Sequence, residues 1–98
     1  MATARFLSVL IKPDPSHTKD ELKAAMDQSL DWFRLTETYY VAYSTASLDQ
    51  WKSRLGHLVK PGGFMLIAPL DLSDPKGYVT KAFWEWLEKI PEKHSKKA

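Results

Sequence analysis

The chain has 98 residues, of which 44% are hydrophobic and 27% are charged, and its formal net charge is +2. This length supports one domain with a single core, and the composition is typical of a folded chain and excludes disorder as its main state. The sequence has no cysteine, which excludes disulfides, thiolate metal ligands and a cysteine nucleophile. The small net charge excludes nucleic-acid binding through a strong overall field, so any such binding would need a local basic patch.

The N-terminal stretch MATARFLSVLIKPD contains one short apolar run, which Ser8 interrupts and Lys12 ends. A secretory signal has a longer apolar region and a cleavage site, and a membrane span needs about twenty apolar residues. We therefore expect a cytoplasmic protein with no membrane partner.

The run RFLSVLIK is rich in branched and aromatic residues and stops at PDP, which predicts a first strand over residues 5–12. Both faces of this strand are mostly apolar, as expected for a central strand.

Two capping boxes predict where the first two helices begin. Thr18 is followed three positions later by Glu21, and Ser47 by Gln50, and each pair can cap the exposed amides of a helix start. Apolar residues then recur at helical spacing. They are Leu22, Ala25, Met26, Ser29 and Leu30 in helix one, and Leu48, Trp51, Leu55, Leu58 and Val59 in helix two. The KPGG stretch ends helix two because Pro61 cannot continue it.

Between these helices, the stretch WFRLTETYYVAYS contains two aromatic-rich runs around a polar TET. One strand over the whole stretch would exceed the usual length of about five or six residues. We therefore predict two strands, over residues 32–35 and 39–44, joined at Thr36 and Glu37.

After helix two, FMLIAPLD predicts a fourth strand, in which Pro69 indicates fraying or an edge position. An amphipathic third helix follows. Its apolar stripe contains Tyr78, Ala82, Phe83, Trp86, Leu87 and Ile90. Pro91 predicts the end of this helix, so we expect one domain over residues 1–90 and a disordered basic tail over residues 91–98.

The resulting order β-α-β-β-α-β-α predicts an α+β, ferredoxin-like fold with an antiparallel sheet and an added C-terminal helix. We expect the first and third strands to be central and parallel, and the short second strand to lie at an edge. Two helices should cover one face of the sheet and leave the other open. An open face on a domain with four Trp, four Tyr and four Phe predicts self-association, since monomers rarely expose so much apolar surface.

The predicted hairpin contains the run Trp-x-x-Leu-x-x-Thr-aromatic-aromatic-Val, and SLDQWKSRL and GGFMLIAPLD follow it. The residues of the run are Trp32, Leu35, Thr38, Tyr39, Tyr40 and Val41. Over about residues 5–71, this pattern resembles the small CRISPR-associated type-two nuclease-fold proteins and their SinR-labelled relatives. The resemblance implies a homodimer of ferredoxin-like protomers and, for some members, a metal-dependent nuclease whose acid lies at the end of the first strand.

In this chain Lys12 and Pro13 stand at the end of the first strand, and Asp14 is the nearest carboxylate. Asp14 is therefore the candidate catalytic residue and Mg²⁺ ligand, with His17 as a candidate base. The alternative, which we favour, is that Asp14 supports the turn between two prolines. We expect no cofactor, with Mg²⁺ needed only if the nuclease alternative holds.

A second candidate site is the basic C-terminal segment. Lys89, Lys93, Lys96 and Lys97 can contact phosphates, although cations at a helix C-terminus also suit the helix dipole, and that is the interpretation we favour. Tyr40 could stack on a base if it faces the open side of the sheet. Core or dimer packing is the preferred interpretation for this tyrosine.

Three residues are candidates for an interface. Phe6 and Leu10 share one face of the first strand, and Trp84 falls off the apolar stripe of the third helix. The sequence thus predicts a small, non-enzymatic, homodimeric interaction module associated with nucleic acid or a nucleic-acid-processing machine. Two alternatives remain open: a metal-dependent endonuclease that uses Asp14, and an inhibitor or antitoxin-like protein that binds a larger partner.

Overall fold

The computed structural model describes residues 3–93, and the side chains of residues 3–90. These residues form a small α+β fold with a four-stranded antiparallel sheet and three helices. In chain order the elements are β1 (Arg5–Lys12), α1 (Lys19–Met26), β2 (Asp31–Arg34), β3 (Tyr39–Ser44), α2 (Leu48–Val59), β4 (Phe64–Pro69) and α3 (Lys81–Lys93). Within this part of the chain, no helix has the length and apolar character needed to cross a membrane.

Both predicted capping boxes are confirmed. Thr18 Oγ1 accepts a hydrogen bond from the Glu21 amide at 3.2 Å, and the Glu21 carboxylate accepts one from the Thr18 amide at 2.7 Å. Ser47 and Gln50 make the equivalent pair of bonds at 3.1 and 2.8 Å. Each box satisfies amides that have no partner inside the helix, so the two helices begin where the sequence predicted.

Helix α1 ends at Met26, which is earlier than its apolar spacing predicted. The Ser29 hydroxyl donates to the Met26 carbonyl at 2.7 Å and lies 2.9 Å from the Asp31 carbonyl. Serine hydroxyls compete with backbone amides for helix carbonyls in this way. The chain therefore turns towards β2, and Leu30 is left exposed.

The strand order in the sheet is β2-β3-β1-β4, and each neighbouring pair is antiparallel. The predicted central position of β1 and β3 and the edge position of β2 are confirmed, but the predicted parallel arrangement of β1 and β3 is wrong. A crossover through α1 makes β1 and β2 run in the same direction. Because β3 returns from β2 in a hairpin and lies between the two, it must run against both.

We call the side of the sheet that α1 and α2 cover the inner face. Its buried cluster contains alternate residues of β1 and β3 together with the apolar stripes of both helices. The members are Leu7, Val9, Ile11, Leu22, Ala25, Met26, Tyr40, Ala42, Trp51, Leu55, Leu58 and Val59. The Trp51 indole donates to the Ser44 hydroxyl at 3.0 Å, so the one polar atom of this large ring is satisfied inside the cluster.

The opposite side, which we call the outer face, is not fully open as predicted, because α3 packs on part of it. The Phe83 and Trp86 rings lie 5.4 and 5.6 Å from the ring of Phe33 on β2, and Trp86 lies 6.1 Å from Phe6 on β1. The Trp86 indole also donates to Asp31 Oδ1 at 3.0 Å. Aromatic burial and one hydrogen bond thus hold α3 over the β2 side of the outer face.

The bounds of α3 differ from the predicted ones at both ends. The helix begins at Lys81, so Tyr78 lies in the preceding loop and is fully exposed instead of packed, and Ala82 is exposed on the helix. At the other end α3 continues through Pro91 to Lys93. A proline inside a helix lacks the amide donor and its ring crowds the carbonyl four residues earlier, which usually kinks or ends the helix; here the backbone stays helical for two more residues. The last part of the predicted tail, residues 94–98, lies outside the described residues.

Candidate functional sites

Asp14 ties the β1–α1 loop to the α2–β4 loop. Its Oδ1 accepts a hydrogen bond from the Gly62 amide at 2.8 Å, and its Oδ2 accepts bonds from the Ser16 amide at 3.1 Å and the Ser16 hydroxyl at 2.5 Å. Its own amide donates to the Leu58 carbonyl at 2.8 Å. A Cβ atom at position 62 would lie 2.6 Å from Asp14 Oδ1, so a larger residue there would displace this carboxylate from its present position.

The hydrogen bonds from Ser16, with a smaller contribution from Gly62, hold the pKa of the Asp14 carboxyl below its usual value. The group is therefore a carboxylate at neutral pH, and its two oxygens already accept three hydrogen bonds. A metal ion at Asp14 would have to compete with these donors. The arrangement supports the interpretation that Asp14 stabilises the turn.

His17 is oriented towards its own helix. Its Nδ1 lies 3.1 Å from Glu21 Oε2, and the pKa of Glu21 is lowered first by the Thr18 amide and then by His17. The His57 ring on α2 stands edge-on to that of His17, with 6.2 Å between the ring centroids. Among the described side chains, no group of three His, Asp or Glu residues is placed to hold a metal ion.

A cavity of about 390 Å³ lies between α1 and the β2–β3 hairpin. Leu22, Trp32 and Tyr40 provide its apolar surface. Its charged lining consists of the basic residues Lys12, Lys19, Lys23 and Arg34 and the acidic residues Asp20 and Glu37. Trp32 and Arg34 are two residues apart on β2, so their side chains lie on the same face of the sheet. Arg34 is paired in register with Tyr40 on β3, so Tyr40 lies on that face too. All three side chains therefore point towards α1.

Hydrogen bonding and burial fix the aromatic part of this cavity. The Trp32 indole donates to Asp27 Oδ1 at 2.8 Å, which is the main reason that the pKa of Asp27 is lowered. The Tyr40 ring lies 5.7 Å from that of Trp32, and Tyr40 is only 6% exposed. Burial raises the pKa of the Tyr40 hydroxyl, so the group is a neutral hydrogen-bond donor. Tyr40 lies on the inner face of the sheet, so it does not offer a stacking surface on the outer face.

The outer face carries a second candidate surface, on the half that α3 leaves uncovered. Leu10 is paired in register with Leu66 on one side and with Tyr39 on the other. Phe64 and Leu66 are two residues apart on β4, so they share this face, and they are 51% and 66% exposed. We call Leu10, Tyr39, Phe64 and Leu66 the β4 strip.

The predicted interface residues are not brought together. Leu10 is half-buried within the β4 strip. Phe6 is half-buried, with its ring 4.9 Å from Tyr43 and 6.1 Å from Trp86, so it serves the contact with α3. Trp84 is half-buried on α3, 5.6 Å from Phe83.

Of the predicted basic patch, Lys89 is exposed on α3 and Lys93 is the last residue of that helix. The Lys93 side chain and the residues Lys96 and Lys97 lie outside the part of the chain that the structure describes.

The sequence interpretation missed both the cavity and the exposed residues of β4. Alternation along WFR and YYV places Trp32, Arg34 and Tyr40 on one face, which was the available signal. It did not reveal that α1 would stand opposite them. Comparisons with models of known protein families, with curated proteins and with solved structures gave no match.

Proposed function

We propose that the protein is a small homodimeric interaction domain of the ferredoxin-like class, without catalysis of its own. The assignment to this class is supported by the element order through β4 and the strand order β2-β3-β1-β4, with antiparallel neighbours. We further propose that it acts in the cytoplasm, as its N-terminal sequence and its lack of cysteine suggest. The resemblance to CRISPR-associated proteins supports an association with nucleic acid or with a nucleic-acid-processing machine.

The observation that carries the dimer is the β4 strip beside a sheet edge. Edge strands are usually short, charged or covered, because their free backbone groups can pair with another chain. The β2 edge fits this rule, since it has four residues and begins with Asp31 and ends with Arg34. Strand β4 has six residues and no charged side chain, and among the described elements only β1 pairs with it. The β4 edge is therefore the one suited to pairing.

A second copy of the chain is the partner that this surface suits. In a twofold dimer each side chain meets the same surface on its partner, so a charged strip would place like charges together. No residue of the β4 strip is charged, and Lys12 lies beside Phe64 at one end. Two copies can therefore bring their strips together without unfavourable charge contacts.

Light scattering after size-exclusion chromatography tests the dimer. We expect a mass near twice the 11.2 kDa of one chain at micromolar concentration, and a single-chain mass for Leu66→Lys. Tyr78→Lys is the control, because Tyr78 is also a large exposed hydrophobic residue but lies in the loop before α3. A wild-type mass near one chain at high concentration, or a Leu66→Lys variant that remains dimeric, would refute the proposal.

The nucleic-acid association rests on the charge that follows residue 88. Lys89 is exposed at the C-terminal end of the described chain, and Lys93, Lys96 and Lys97 follow it in the sequence. Binding through such residues is weak, independent of sequence and sensitive to salt. Deletion of residues 91–98 should therefore reduce the salt dependence of binding, and tight binding that survives the deletion would require another surface.

The two alternatives give different results in simple assays. The endonuclease alternative predicts Mg²⁺-dependent cleavage of RNA or duplex DNA that Asp14→Ala abolishes. The hydrogen bonds that Asp14 makes to Ser16 and Gly62 favour the non-enzymatic role. An inhibitor or antitoxin-like protein would use the β4 strip against a larger partner, and a stable monomer would favour that alternative.

A further inference from the structure

We propose that the cavity between α1 and the β2–β3 hairpin binds a small organic phosphate that carries a flat ring. The cavity lies on the inner side of the sheet, whereas the β4 strip lies on the outer face, so this inference does not depend on the proposed dimer. Its volume of about 390 Å³ falls in the range of small-molecule sites, which combine apolar walls with a few directed polar groups.

The charge of the lining favours an anion. The lining residues include four basic and two acidic ones, whereas the chain as a whole has 14 basic and 12 acidic residues. Alternation along β1 places the Lys12 side chain on the outer face beside Phe64, so Lys19, Lys23 and Arg34 supply the cationic groups of the cavity. Lys23 is paired with Asp27 at 3.0 Å, but Lys19 makes no ion pair among the described residues. Arg34 has one long hydrogen bond, from Nε to the Thr36 carbonyl at 3.3 Å. Its guanidinium therefore retains donors for a phosphate, whose oxygens it can bind in pairs.

Tyr40 adds a hydrogen-bond donor to the cavity. Tyr40 is 94% buried, since only 6% of it is exposed, and it lines the cavity. The charges of Arg34 and Glu37, both in the cavity lining, act on the Tyr40 hydroxyl. Because Tyr40 lines the cavity and is paired in register with Arg34, its hydroxyl can donate a hydrogen bond to a phosphate oxygen held by Arg34.

The flat ring of the ligand is inferred from the apolar side of the cavity. Trp32 and Tyr40 are tilted by 48° to each other and lie side by side, and Leu22 completes the apolar surface. Flat rings pack well against such aromatic side chains. The bond from the Trp32 indole to Asp27 holds that ring in place, so the wall is formed before any ligand binds.

Phenyl phosphate is the minimal probe for this chemistry, and adenosine 5′-monophosphate is a larger one. In ¹H–¹⁵N spectra of the wild-type protein titrated with each probe, we expect saturable shifts of the Trp32 indole and of the Arg34 and Tyr40 amides. Phenol carries only the ring and inorganic phosphate only the charged group. Each should bind at least about tenfold more weakly than phenyl phosphate, because neither contacts both the aromatic side chains and the basic side chains of the cavity. Shifts that remain absent with both ring-bearing phosphates at millimolar concentration would overturn the proposal.

Two variants then locate the binding. Arg34→Gln should weaken phenyl phosphate binding about tenfold, as expected for the loss of a charge-assisted bond. Tyr40→Phe should weaken it about threefold to tenfold through the loss of one hydroxyl. Lys52→Gln is the control, since Lys52 is exposed on α2 and does not line this cavity. Binding that Arg34→Gln leaves unchanged, or that Lys52→Gln weakens equally, would refute the site. The wild-type shift map decides the matter if a variant does not fold.

Discussion

The two faces of the sheet are built from the same alternating strands but differ in how they are covered. The inner face is covered by α1 and α2, and its cluster has twelve buried residues. Among the described residues, the outer face is covered where α3 packs on Phe33 and Phe6, while Phe64 and Leu66 are exposed. Because burial of apolar surface drives folding, the inner face should carry most of the stability, and the outer face has apolar surface available for association.

The largest effect should come from the inner face. Trp51 is fully buried, bonds to Ser44 and has the Arg54 guanidinium 5.0 Å from its ring centre. Trp51→Ala should lower the free energy of unfolding by about 3–5 kcal/mol, since it leaves a large cavity. Urea denaturation followed by circular dichroism measures this loss. A loss below about 1 kcal/mol would be close to the small effect of a surface substitution. It would mean that the inner face is not the main core.

A smaller loss is expected where α3 meets the outer face. Trp86 is half-buried and contacts Phe6, Phe33 and Phe83. Trp86→Ala should lower the free energy of unfolding by about 2 kcal/mol, less than a fully buried tryptophan would. The same denaturation series measures it, with Tyr78→Ala as the exposed aromatic control. A loss equal to that of Trp51→Ala would erase the distinction between the faces, and no loss would mean that α3 does not dock.

Local signals in the sequence predicted much of the fold. The Thr18 and Ser47 boxes placed the helix starts, and the strands over residues 5–12 and 39–44 match β1 and β3. These features depend on hydrogen bonds and side-chain alternation within a few residues. The direction of β3 relative to β1 is a long-range property, and its prediction required tracing the crossover and the hairpin together.

The candidate sites were harder to predict for the same reason. The position of α3 depends on contacts between Phe33 and residues about fifty positions later, and no local pattern specifies them. The cavity joins residues of α1 to Arg34 and Tyr40 across a helix–sheet gap. The sequence left Asp14 open between a turn residue, the favoured interpretation, and a metal ligand, and its bond to Gly62 could not be inferred from spacing. Sequence pattern identified the groups, and only the packed structure identifies their partners.

The stability that Asp14 contributes through its loop hydrogen bonds should depend on pH, whereas the apolar packing of the two faces should not. The pKa of Asp14 is lowered mainly by Ser16, so its carboxylate stabilises the fold above the ordinary aspartate pKa of about 3.9. That contribution is lost as pH falls through the lowered pKa. Asp14→Asn, which keeps the shape but cannot accept all three bonds, should be less stable than the wild type at pH 7. Melting curves between pH 7 and pH 2 should show this difference shrinking in acid, whereas a constant difference would exclude ionisation as its cause.

The smallest effect on folding is expected at the β4 strip. Leu66 is 66% exposed, so the monomer loses little buried surface when this side chain becomes polar. Under dilute conditions that favour the monomer, Leu66→Ser should change the free energy of unfolding by no more than about 0.5 kcal/mol, as for other surface positions. The dependence of the melting temperature on protein concentration should disappear in this variant, because association stabilises the fold only when the dimer forms.

Leu7→Ser, a fully buried position on the same sheet, is the contrasting control and should be severely destabilised at any concentration. A Leu66→Ser variant that is destabilised like Leu7→Ser would place β4 in the core of the monomer. The outer face would then have no strip left for a second copy.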